Sequence, residues 1–282
     1  NAGGLLTPLG DPPLFLLYLR VSSFTWFFHL LPEWLFTNGL LLLIYYFTDK
    51  YFYRKEPPAN IIFDKTNIHP IKLRGRFNFF FLAGVVLSVA FLNKQYIPAI
   101  EHNHYLAFIR EAAILLMAGL SLYFTSSKLR QANKFTYGPI LEVAYLFLGI
   151  FITMVPALLW LEANAKSLGV ETVAQFYYAT GALSSFLDNA PTAVSFYKLA
   201  LGLTDASATG LFAGIPDDLL KAISVGAVFF GSMTYIGNGP NFMVKAIAEE
   251  NKIDMPGFFG YMIKFSLVVL LPVYILTQLL FL

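Results

Sequence analysis

The chain has 282 residues, 57% hydrophobic, 17% aromatic and only 13% charged, with a mean hydropathy of +0.63, whereas soluble domains carry about 25% charged residues. A formal net charge of +2 gives no basis for a nucleic-acid partner, and the absence of cysteine removes disulfides and thiolate metal sites. Lipid, not water, is the expected solvent for most of its surface.

Hydropathy windows of about 19 residues place membrane segments at 34–48, 77–92, 105–124, 139–162, 219–235 and 258–282. Several are long enough to cross a hydrocarbon core about 30 Å thick. Residues 1–33 come first and carry a Gly/Pro-rich helix break between Gly4 and Pro13. The chain opens without Met inside that motif, so the expectation is an N-terminally incomplete copy of a longer protein. The next region, 34–76, is a span plus a loop, 49–76, in which Lys50, Arg54, Lys55, Lys65, Lys72, Arg74 and Arg76 outnumber Asp49, Glu56 and Asp64. By the positive-inside rule this loop is cytoplasmic. Scaffold-type spans are expected over 77–162. Within them, loop 125–138 carries Lys128, Arg130 and Lys134 and no acid, and span counting returns it to the same side.

Counting on puts 163–171 and 203–218 outside, the latter with Asp205, Asp217 and Asp218 and no Lys or Arg. Residues 172–202 therefore leave and return on one side, as a re-entrant hairpin or two short spans, with a polar middle from Ser184 to Pro191. Irregular backbone at that depth needs cover from protein or a water-filled cavity. Residues 219–250 cross inward toward Lys245 and Lys252, interrupted by Gly237-Asn238-Gly239-Pro240, a composition that unwinds a helix. Hairpin and broken helix make 163–257 the expected ion-site region, and 258–282 is the last span.

Gly4, Thr7, Leu9, Gly10, Asp11, Pro13 and Phe15 match Gly231, Thr234, Ile236, Gly237, Asn238, Pro240 and Phe242 at a constant offset, 234 − 7 = 227. By the span count the first motif runs inside to outside and the second outside to inside. Matching broken helices of opposite direction are the mark of inverted repeats meeting at the bilayer midplane. The fold expected is an all-α polytopic helical bundle with inverted repeats, a re-entrant hairpin and broken helices. Asp188 lies 234 − 188 = 46 residues before Thr234, so a counterpart of the hairpin turn is expected upstream of Asn1.

The turn from Ser184 to Thr192 offers hydroxyls, an amide, carbonyls and one carboxylate, a hard-oxygen set suited to an alkali cation or a proton. Half-helices ending there add unpaired backbone groups. Asp188 is the first candidate for coupling, because an ionisable group inside a span is a functional hypothesis by default. Desolvation disfavours a carboxylate's charged form and a bound cation favours it, so proton and sodium compete. Na+ is expected at Asp188, Asn189 and Asn238. Hydroxyls of Ser184, Ser185, Thr192, Thr234 and Thr7 stand nearby, with Gly237, Gly239 and Asn241 at the second break. Asp11, the counterpart of Asn238, is a second titrating candidate. The plainer alternative is that Asp188-Asn189 merely caps the second half-helix.

His29, His69, His102 and His104 fall in or near loops, and residues two apart do not face one ligand on a helix. No resident metal, cofactor or catalytic residue is expected. Arg110-Glu111 and Glu142 lie near helix ends, where snorkelling or pairing satisfies them, and Lys198 and Lys245, one or two turns beyond the polar breaks, are expected to face the interface.

On Ser184 to Thr192, on Thr234 to Lys245 (TYIGNGPNFMVK) and on Gly3 to Phe15 (GGLLTPLGDPPLF), the chain resembles the ion transporter superfamily, near NhaD-type sodium/proton antiporters and CitMHS citrate transporters. The resemblance extends along the whole chain but reaches only roughly the C-terminal two-thirds of such a transporter. It implies two inverted repeats, hairpins opposed to broken helices, a scaffold for homodimerisation of the full-length protein and elevator-like movement. On that resemblance the first hairpin, and with it half of the expected ion site, is expected upstream of Asn1.

The leading reading is exchange of Na+ or Li+ for H+ across a bacterial inner membrane, with the lipid bilayer and monovalent cations as partners. A citrate or carboxylate symporter is the nearest alternative, opposed by an Asp at the turn and by the lack of Arg near either motif. From other classes stand an intramembrane hydrolase, with Asp11 as half of an aspartyl pair, and a non-transporting scaffold.

Overall fold

The computed structural model describes residues 1–21, 23–68, 73–103, 105–133, 135–205 and 209–282. His69, Lys72, His104 and Lys134 lie outside them, and Asp64 and Glu142 are described in their backbone alone. In chain order the helices are α1 Pro12–Val21, α2 Leu31–Tyr53, α3 Pro58–Thr66, α4 Asn78–Phe91, α5 Ala99–His102, α6 Ile109–Phe124, α7 Ser127–Ala132, α8 Gly138–Ala163, α9 Val173–Phe186, α10 Asn189–Leu203, α11 Asp217–Phe230, α12 Gly239–Glu250, α13 Phe258–Tyr261 and α14 Leu271–Phe281. A short antiparallel pair, β1 Leu211–Phe212 with β2 Ile215–Pro216, departs from an all-α chain. Positive φ at Ala213 and Gly214 makes the two-residue hairpin turn that such a pair favours.

Every expected span is helical, with three differences. The segment 105–124 starts with a 3₁₀ turn, Leu106–Phe108, so its α-helix begins at Ile109. The segment 219–235 stops at Phe230, because the break opens at Gly231 instead of Gly237. The last span runs as α13, a π-helical stretch Met262–Leu270, and α14. That stretch carries Ser266 Oγ to the Met233 carbonyl at 2.6 Å, while Tyr261 OH reaches the Ser232 carbonyl at 3.1 Å. The final helix thus satisfies backbone oxygens that the break sets free, which lipid could not do.

Thr25–Tyr53 and Phe258–Phe281 are long and apolar enough to cross a bilayer, and Asn78–Phe91 and Phe147–Ala163 are shorter apolar helices. On α2, Leu42, Leu43, Tyr45, Tyr46 and Phe47 all expose more than half of their surface. A helix apolar all round yet uncovered by protein is matched to lipid.

The described chain forms two compact units, Asn1–Leu41 with Val143–Leu282, and Leu42–Glu142. In the first, α9 packs on α11 and α1 on α10, with Phe176, Tyr177, Phe229 and Tyr274 fully buried. Gly226 permits the close approach, since a Cβ there would lie 2.7 Å from the Tyr177 carbonyl oxygen. In the second, α4 packs on α6, and Asn78 Oδ1 accepts from the hydroxyls of Ser121 at 2.9 Å and Thr125 at 2.8 Å.

Candidate functional site

Three helices of the first unit begin with the same local pattern, an Asp or Asn followed within three residues by proline. These are Asp11-Pro12-Pro13 at α1, Asp188-Asn189-Ala190-Pro191 at α10 and Asn238-Gly239-Pro240 at α12. Proline lacks a donor that a first helical turn leaves unpaired anyway, and its fixed φ suits that position. The same residue resists helix on its N-terminal side. Local sequence therefore sets three helix starts, and the fold brings them together.

Asp11 is the meeting point. Asn189 Nδ2 donates to Asp11 Oδ2 at 3.1 Å, and Asn238 Nδ2 donates to Asp11 Oδ1 at 2.9 Å. Asp11, Asn189 and Asn238 are 4%, 1% and 3% exposed. Each helix N-terminus carries roughly half a positive charge. Three of them amount to about one and a half, enough to offset one carboxylate without Lys or Arg. Asn189 Oδ1 is buried and has no hydrogen-bond partner, a state that costs about 1–3 kcal/mol. Turning either carboxamide over exchanges its donor for an oxygen ligand beside Asp11. A cavity of about 410 Å³ reaches Asp11 between Pro8, Leu9, Phe15, Leu19, Phe147 and Phe151. Its wall is mostly apolar and offers an ion nothing in place of its water shell, so a charge held there depends on Asp11 and the two carboxamides.

Both breaks close in one way. A Cβ on Gly4 or on Gly10 would collide with the carbonyl oxygen of the other. At the residues 227 further on, a Cβ on Gly237 would lie 2.7 Å from the Gly231 oxygen, and one on Gly231 3.3 Å from the Gly237 oxygen. The bond between Asp11 and Asn238 joins two positions related by that same offset.

The remaining expected site residues act mostly as fasteners. Asp188 is half-buried and caps α10, its Oδ1 accepting from Ala190 N at 2.9 Å, while its carbonyl accepts from Thr192 Oγ1 at 2.9 Å. The capping alternative therefore describes Asp188 but not Asn189, whose side chain turns to Asp11. Ser184 Oγ donates to the Ala227 carbonyl at 2.7 Å, and Ser185 Oγ to the Phe230 carbonyl at 3.3 Å. Thr234 Oγ1 donates to the Ser185 carbonyl and accepts from Ile236 N at 3.3 Å and Gly237 N at 3.2 Å. Asn241 Nδ2 holds the carbonyls of Gly231 at 2.8 Å and Thr234 at 2.9 Å. Thr7 lies in the first break, its carbonyl accepting from Gly10 N at 2.9 Å. Gly239 opens α12 with free space around it.

Sequence reasoning missed one buried charge. Glu33, in the first turn of α2, is fully buried and forms an ion pair with Lys221 Nζ on α11, which also donates to the Phe281 carbonyl at 3.3 Å. The available signal was Lys221 inside an expected apolar span; Glu33 stood at the end of residues 1–33, read only for their helix break. Arg110 pairs with Glu111, whereas Lys198 and Lys245, expected to face the interface, pair with Glu162 and Glu249. His29 and His102 are exposed. Among the described residues, no group of three or more His, Cys, Asp or Glu could hold a metal ion.

A family model described as "Putative citrate transport" matches residues 1–282. No curated protein and no solved structure matches the chain. The whole-length match agrees with the apolar helices and their bare apolar faces. The chain therefore belongs to this citrate transport family of the ion transporter superfamily, as an integral membrane transport protein rather than an enzyme.

Proposed function

We propose that the protein is a cation-coupled secondary transporter that exchanges Na+ or Li+ for H+, with Asp11 as the coupling carboxylate. The observation that carries this reading is a single buried carboxylate clasped by two carboxamides at the junction of three helix starts. A proton on Asp11 leaves the two carboxamides as they are. A sodium ion there draws their oxygens toward it, and the unpartnered Asn189 Oδ1 is the first such ligand. The two occupants exclude one another, which is the requirement for exchange. The mirrored glycine contacts and the constant offset support a pair of inverted breaks meeting at the bilayer midplane, with α9 and α10 as a re-entrant hairpin in a bacterial inner membrane protein.

A second reading, symport of a citrate-like carboxylate with a cation, is favoured by the family description and by the three positive helix ends. Proteoliposomes separate the two. A sodium gradient is expected to move protons in the absence of citrate, and Asp11→Asn to stop that movement. Proton or sodium movement strictly dependent on citrate would replace exchange by symport.

A further inference from the structure

The second unit contains a cavity of about 360 Å³ whose lining includes Asn78, Ser121, Thr125, Arg130, Asn133 and Tyr137 and, among the described residues, no carboxylate. It lies where apolar helices terminate together: α4 begins at Asn78, α6 ends at Phe124 and α8 begins at Gly138. Helix ends mark the headgroup layer of a bilayer. Arg130 is held at the cavity by Nη2, which donates to the carbonyls of Leu122 and Thr125 at the end of α6. That bond is an ordinary cap for a helix C-terminus, but it occupies one nitrogen of a fork with five N–H donors. The first turns of α4 and α8 also border the cavity through Asn78 and Ile140, adding positive helix ends. Exposed Phe135 and Tyr137 flank the cavity as interfacial aromatics do.

We propose that this cavity binds the phosphate headgroup of an anionic phospholipid, with Arg130 as its charge partner and the carboxamide N–H groups of Asn78 and Asn133 as further donors. Basic pockets between membrane helices recognise such headgroups, and a guanidinium pairs with phosphate more strongly than with a neutral group. The site is separate from Asp11, so its failure would leave the transport reading standing.

The test compares the whole chain in phosphatidylcholine nanodiscs with and without phosphatidylglycerol, reading thermal midpoint and, by native mass spectrometry after extraction, retained lipid. Phosphatidylglycerol is expected to remain bound and to raise the midpoint. Arg130→Gln should weaken retention roughly tenfold, the effect of losing one charge-assisted hydrogen bond. Ala118→Phe, which fills the cavity and leaves Arg130 in place, should do the same, and decides the matter if Arg130→Gln fails to fold. Lys128→Gln, at an exposed position outside the lining, should retain lipid like the parent. Retention unchanged in Ala118→Phe, equal midpoints in the two lipids, or the same shift produced by inorganic phosphate alone would each overturn the proposal.

Discussion

At Gly4 and Gly10, and again at Gly231 and Gly237, the chain folds back with one glycine against the other's carbonyl, yet Asp11 follows the first pair and Asn238 the second. The supports differ as well. The first break leans on α2, where Trp34 Nε1 donates to the Gly3 carbonyl at 2.9 Å and Asn38 Nδ2 to the Ala2 carbonyl at 3.3 Å. The second is fastened by Thr234, Asn241, Tyr261 and Ser266. A shared backbone device has thus been given charge on one side and neutral amides on the other. One carboxylate among neutral oxygens can alternate between proton and cation, whereas two in contact would repel one another.

The largest effect is expected from erasing that asymmetry. Asp11→Asn should abolish sodium-driven proton movement while leaving the fold intact, since the carboxamide keeps the shape. Moving the charge across the contact, in Asp11→Asn combined with Asn238→Asp, should restore part of it, measured in the same vesicles. A dead double variant that remains folded would show that the two breaks are not interchangeable carriers.

Next comes the ion pair linking the helix behind the first break to the helix ahead of the second. Lys221→Met leaves Glu33 buried without its partner and should cost about 3–5 kcal/mol, read as a lowered unfolding midpoint in detergent. Reversal of both charges should recover much of that loss, and an unaltered midpoint in Lys221→Met would deny the pair any structural weight.

Smaller effects distinguish the breaks from their surroundings. Gly10→Ala and Gly237→Ala drive a methyl into backbone that cannot swing away, with an expected cost of up to about 3 kcal/mol each. Gly239→Ala meets open space and should be close to neutral. Equal midpoints across all three would mean that the glycine contacts are incidental. Smallest is Asp188→Ala, which removes a cap worth about 1 kcal/mol. Asp188→Asn should retain both the cap and transport; a folded but inactive Asp188→Asn would move the coupling charge from the first break to the hairpin turn.

Much of the fold was legible because its signals are local. Apolar runs mark the spans, and an Asp or Asn with a following proline marks three helix starts, since each depends only on a residue's immediate chain neighbours. The π-helical stretch in the last span was not legible: it accompanies polar contacts from Tyr261 and Ser266 to carbonyls at 232 and 233. Glu33 escaped for a similar reason, its partner lying on another helix. In the polar turn the sequence put Asp188 ahead of Asn189 because only Asp188 is ionisable, and the fold turned Asn189 toward Asp11 and left Asp188 as a cap.

By itself the sequence determined that this protein lives in lipid, which stretches form its apolar helices, and which few polar groups stand at the breaks between them. Only the tertiary structure decided which of the carboxylates at those breaks is enclosed. Asp11 is 178 residues from Asn189 and 227 from Asn238, and burial and donor geometry belong to neighbours that the chain brings together only by folding.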